Sequence, residues 1–172
     1  RKAEEDQVEP CRALDLELDV DFARQQLSGT AELALDWRDP LAHSLVLDTR
    51  DLAIESIQGV AADGTTVDLA YTQDPRDPIF GSALRIDTKT AVPNVRIRYH
   101  TSPQASGLQW MTPAQTASGK QPFMFSQSQA IHARSWVPLQ DTPSVRFTYT
   151  AHVTAPKALR VALTAAPQTR RK

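Results

Sequence analysis

An all-β sandwich, saddle-like and built of several twisted, mostly antiparallel sheets, is the fold this sequence predicts. Three observations carry that expectation. Apolar and polar residues alternate with a period of two along much of the chain, turn-forming pairs punctuate the alternating runs, and no window sustains a helical period.

The first run is the clearest. Leu14, Leu16, Leu18 and Val20 share one side, with Asp15, Glu17 and Asp19 on the other, as a half-buried strand requires because successive side chains leave opposite faces of a pleated backbone. Ala31, Leu33, Leu35 and Trp37 repeat the pattern. Asp21 to Gly29 then reads as an elaborated turn, with Ser28-Gly29 just ahead of the second strand of a long hairpin. Shorter strands are expected at 44–48, 52–57, 66–71 and 84–87, separated by Asp39-Pro40, Asp63-Gly64, Asp74-Pro75 and Asp77-Pro78. Val95, Ile97 and Tyr99 alternate with Arg96, Arg98 and His100. Val145 to Val153 alternates strictly, and Leu159, Val161 and Leu163 suggest a last short strand beyond Pro156. Only 21–26 and 112–117 offer weak helical alternatives.

The stretch from Thr101 to Pro143 breaks the scheme. It is rich in Gln, Ser, Thr and Pro, yet it holds Trp110, Met111, Phe123, Met124, Phe125 and Trp136. Long non-periodic connections inside compact domains are uncommon and often functional, and the aromatic residues argue against disorder. One domain is expected over 13–166, after an N-terminal extension at 1–12 and before a basic tail at 167–172.

Composition narrows the function. The chain is 41% hydrophobic and 23% charged, with 19 Lys and Arg against 20 Asp and Glu. Such balance offers no single-sign field to attract nucleic acid or an anionic membrane, so neither is expected as a partner. The single cysteine, Cys11, allows no internal disulfide and reads as an inert thiol. The start at Arg1 and the absence of a signal pattern suggest a processed chain or a fragment, with cytoplasm and periplasm both open.

Enzyme chemistry is not visible in the motifs. His43, His100, His132 and His152 are scattered, and none begins a His-Glu-x-x-His motif, so no metal site and no catalytic residue is assigned. No G-x-S-x-G elbow occurs, and the glycines never cluster into a phosphate cradle. Glu4-Glu5-Asp6 reads as a solvated run. The strongest candidate is Phe125 to His132, FSQSQAIH. In extended conformation Gln127 and Gln129 project to one face, where amides could hold a peptide amine; solvent exposure or satisfaction of buried backbone is the plain alternative. Asp141-Thr142-Pro143 is a turn sequence whose aspartate could cap local amides.

The stretch ASGLQWMTPAQTASGKQPFMFSQSQAIHARSWVPLQDTPSVRFTYTAHVTAP, from Ala105 to Pro156, closely resembles the N-terminal domain of the leukotriene A-4 hydrolases and their bacterial aminopeptidase relatives, in the aminopeptidase N group of gluzincin metallopeptidases. SLVLDTRDLAIESI and LSGTAEL fit the same family. The resemblance implies a β-domain packed beside a zinc domain of the same polypeptide, within an enzyme that removes N-terminal residues from peptides, with epoxide hydrolysis as a further activity of that branch. It also implies that Gln129 receives the substrate's α-amino end, with Gln127 and Ala130 lining the same part of the cleft. The family's G-x-M-E-N and zinc motifs are not found in this sequence. No cofactor is therefore expected within this chain, zinc belonging to the larger enzyme. Alone, the domain is expected to be inactive and, through the apolar surface that would pack on the zinc domain, to form homodimers or to be poorly soluble at high concentration. Two other readings stand beside this one: a stand-alone, non-catalytic binding or scaffolding β-domain, and an independent hydrolase with an unrecognised site.

Overall fold

The computed structural model of the chain describes residues 11–37, 41 and 43–166. The Asp39-Pro40 turn, the acidic run Glu4-Glu5-Asp6 and the tail at 167–172 lie outside the described residues.

The predicted all-β architecture is what folds. Eleven strands are described: β1 (Cys11–Asp21), β2 (Gln26–Leu35), β3 (Ser44–Thr49), β4 (Ala53–Val60), β5 (Thr66–Asp68), β6 (Ala70–Gln73), β7 (Ser82–Asp87), β8 (Asn94–His100), β9 (Leu108–Met111), β10 (Phe123–Ser126) and β11 (Thr148–Thr154). They form a six-stranded sheet in the order β11-β1-β2-β8-β4-β5, a three-stranded sheet β3-β7-β6 and a hairpin β10-β9. Pairing is antiparallel except at one edge, where β11 lies parallel to β1.

The alternation reports burial directly. Leu14, Leu16 and Leu18 on β1, Ala31, Leu33 and Leu35 on β2, and Val95, Ile97 and Tyr99 on β8 are all buried. They join Leu45 and Leu47 of β3 and Leu84 and Ile86 of β7 in one apolar core. Burying each such side chain contributes roughly 1.5–3 kcal/mol, which is why a period-two pattern suffices to specify a sheet face. The opposite face is polar. Glu32 accepts from Asn94 and Arg96, and Glu55 pairs with Arg98 and His100.

Four expectations needed correction. The β1–β2 turn is tight rather than elaborated: Asp21 Oδ1 accepts the amides of Ala23 and Arg24, each at 2.9 Å, and β2 already begins at Gln26. Ser28-Gly29 therefore lies within β2. Gly29 is there for close approach, since a Cβ at φ +153° would sit 1.9 Å from the Glu17 carbonyl oxygen. The run at 66–71 is two strands, because Leu69 is buried between them and the chain passes from β4 to β7 as partner. No strand forms at 159–163. Val161 and Leu163 are exposed, and among the described residues nothing pairs beyond β11, so their alternation lacks the ladder partner a strand needs. Of the weak helical alternatives, 21–26 is turn and strand, and 112–117 holds only a single 3-10 turn, Pro113–Gln115.

Cys11 is 2% exposed, and burial pushes its thiol up to about 11, which keeps it protonated at neutral pH.

Candidate functional site

The non-periodic stretch folds around the β9–β10 hairpin. Phe123 pairs with Met111, Met124 with Trp110, Phe125 with Gln109 and Ser126 with Leu108. Sequence alone missed these strands, because each is only four residues long and carries apolar residues on both faces, so neither alternates.

The structure ends β10 at Ser126, so Gln127 and Gln129 sit in the loop beyond it rather than on an extended strand. The Gln127 amide donates to the Gly107 carbonyl at 2.8 Å, holding the loop's first residue to the lead-in of β9. Its side chain turns back, and Oε1 accepts the Gln129 amide at 3.2 Å. The loop then reverses, with the His132 amide donating to the Ser128 carbonyl at 2.9 Å. Gln127, Gln129 and Ala130 are all exposed, and the peptide between Gln129 and Ala130 is cis. The expected same-face pair of glutamines is thus replaced by a turn in which one glutamine braces the backbone of the other.

A second 3-10 turn, Ala133–Ser135, closes the loop and is anchored by buried polar groups. Ser135 Oγ donates to the His132 carbonyl at 2.7 Å and accepts the Gly107 amide at 2.8 Å. Gly107 has to be glycine here: a Cβ would lie 2.6 Å from the His132 carbonyl oxygen. Trp136 Nε1 donates to Ser128 Oγ at 3.1 Å. From below, the Tyr99 hydroxyl donates to the Trp136 carbonyl at 3.0 Å, and full burial pushes that phenol above its ordinary value.

Two arginines tie this assembly to the small sheet. Arg134, 5% exposed, donates through Nε to Asp141 Oδ2 at 3.0 Å and through Nη1 to the Phe80 carbonyl at 2.9 Å, and it pairs with Asp48 at 3.2 Å. Asp141 also accepts the Arg134 amide at 3.2 Å, and its own amide donates to Asp48 Oδ2 at 3.0 Å. The aspartate of Asp141-Thr142-Pro143 was expected to cap amides of its own turn; its carboxylate instead accepts the amide of Arg134, seven residues upstream, and neutralises that residue's buried guanidinium. Arg50, in the turn after β3, donates its amide to the Arg134 carbonyl at 2.8 Å. Its side chain donates to Ser106 Oγ at 3.1 Å and to the Ile79 carbonyl, and approaches His132 Nδ1 at 3.4 Å. Ser106 Oγ and His132 Nδ1 are 2.8 Å apart.

Arg50, Ser106 and Ser135 escaped the sequence reading because they meet only in space. The available signal was an arginine directly after an apolar strand, a weak one on its own. The other histidines are not brought together: His100 faces Glu55, and His152 is exposed on β11. Among the described residues no group of three or more His, Cys, Asp or Glu could hold a metal ion. Two shallow hollows, one between Phe22 and Trp110 and one beside Tyr71 and Arg85, include none of the three loop residues.

Relatives give this geometry its context. The chain is 38% identical over 158 residues to leukotriene A-4 hydrolase of Xenopus laevis, a match covering 88% of this chain and 25% of that protein. It is 43% identical over 138 residues to leucine aminopeptidase 2 of Yarrowia lipolytica, covering 77% and 20%. Among solved structures it superposes on native yeast LTA4 hydrolase with a TM-score of 0.75 and 34% identity, over 86% of this chain and 23% of that one. The chain thus spans about a quarter of the length of the relatives it matches. The family model for the peptidase M1 N-terminal domain matches residues 11–172, and the chain belongs to that family.

Proposed function

We propose that this chain forms one wall of the substrate cleft of a zinc aminopeptidase, and that Gln129, with Gln127 and Ala130 beside it, receives the free α-amino end of a peptide. The observation that carries this reading is an exposed glutamine loop held from both sides by buried and half-buried hydrogen bonds, rather than left free at the surface. A side-chain amide on a fixed backbone supplies a carbonyl acceptor for an ammonium group without a large ordering cost on binding. The described residues do not fit a zinc centre themselves, so the metal would be held by another part of the enzyme. Exposed Ile79, Phe80, Phe123 and Phe125 fit a surface that docks against the rest of that polypeptide. The same surface would pair two copies of the isolated domain.

The test is Gln129→Ala in the whole peptidase, assayed on aminoacyl p-nitroanilides. Loss of one hydrogen bond to a charged group should raise KM or lower turnover, reducing kcat/KM by about tenfold or more. Unchanged kinetics across free-amine substrates would remove Gln129 from the site. A chain that acts alone as a binding domain would instead show no effect of Gln129 on any peptidase activity.

A further inference from the structure

We infer that Arg50, acting through Ser106 and His132, is a positioning residue that fixes the Gln127–Ala130 loop for amine recognition. The inference rests on the proposed role of Gln129 and adds the device that sets its place.

Arg50 is 9% exposed and lies on the turn between β3 and β4, far in sequence from the loop. Its guanidinium reaches three segments at once: Ser106 ahead of β9, His132 at the end of the loop, and the Ile79 carbonyl in the turn before β7. Its backbone amide holds the Arg134 carbonyl in the following 3-10 turn. The polarity of the network is set by the arginine. A guanidinium can only donate, and Arg50 Nη1 faces both Ser106 Oγ and His132 Nδ1, so Nδ1 is met as an acceptor and the Ser106 hydroxyl, 2.8 Å away, donates to it. That makes Nδ1 the acceptor and places the imidazole proton on Nε2. His132 is then fixed at both its ring and its backbone, because its carbonyl accepts from Ser135 and its amide donates to Ser128. Gln129 and Ala130 lie between these pinned points.

A lysine would carry the charge but not the planar fork that spans three acceptors. Retained charge therefore separates a positioning role from simple electrostatic attraction.

The experiment is a double-mutant cycle in the full peptidase, with Ser106→Ala and Arg50→Lys each made alone and in a Gln129→Ala background. Kinetics on alanyl- and arginyl-p-nitroanilide are read alongside the melting temperature. Ser106→Ala removes one exposed hydroxyl and keeps the protein measurable where Arg50→Lys fails to fold. Ser106→Ala should raise KM by about threefold and Arg50→Lys by about tenfold, with kcat little changed, and neither should add to the KM defect of Gln129→Ala. Should Gln129→Ala impair the enzyme while Ser106→Ala is silent or fully additive, the positioning role is wrong and the Gln129 role stands. Should Gln129→Ala itself be silent, both fall.

Discussion

The six-stranded sheet and the 101–147 connection are both well buried in places, but different forces hold them. In the sheet, β1, β2 and β8 stack rows of leucine, isoleucine and valine against the small sheet, and continuous backbone ladders satisfy the amides. Each such contact has several neighbours doing the same work. In the connection, side chains satisfy much of the backbone, and two buried arginines join it to the framework. Redundancy protects the first region. The second depends on individual groups, as expected for a long connection that runs over a rigid scaffold.

The largest expected effect tests that contrast. Arg134→Ala leaves Asp141 and Asp48 without their shared cation in a buried setting, and should cost about 3–5 kcal/mol in urea denaturation. Arg96→Ala removes an ion pair of comparable geometry from the outer face of the sheet, where water replaces it, and should cost less than about 1 kcal/mol. Equal losses for the two variants would end the distinction.

An intermediate effect is expected where the regions meet. Tyr99→Phe keeps the core packing of β8 but leaves the Trp136 carbonyl without its donor, for a loss of about 1–3 kcal/mol. Hydrogen exchange should then rise around 128–137 and stay unchanged in β1 and β2. Uniform exchange would show that the connection has no separate stability.

The smallest effect concerns acid. Asp51 is held below the ordinary carboxylate range by its hydrogen bonds from Arg76, Glu55 by those from His100 and Arg98, and Asp74 by those from Arg85. A carboxylate with a lowered folded-state pKa binds fewer protons folded than unfolded. Its stabilisation is therefore fully present above the ordinary range and lost as pH falls through the lowered value. These pairs are all well exposed, so each contributes little. Melting temperature should decline modestly from about pH 4 downward, and Asp74→Asn should flatten part of that decline. A steeper slope for the single Asp74→Asn variant would contradict the assignment.

How much of this was legible beforehand follows from the same contrast. Leu14 to Leu18 and Val95 to Tyr99 announced their strands because one buried face is enough to impose a period of two. Leu159 to Leu163 shows the limit of that signal. The pattern is present, but whether a strand forms depends on a partner, and among the described residues β11 has none on its outer side. The glutamine segment was visible by composition and resemblance. Its shape was not, because the reversal after Ser126 depends on Gly107, Ser135 and Trp136, which lie in other segments.

By itself, then, the sequence determined the all-β class and the main strands, since burial periodicity and turn chemistry are local properties. The tertiary structure alone decided that β11 runs parallel to β1, that β5 and β6 part at Leu69, and that Arg50, Ser106 and His132 meet beneath the glutamine loop. Those outcomes rest on hydrogen bonds between residues far apart along the chain, and local patterning carries no record of which distant donor will find which acceptor.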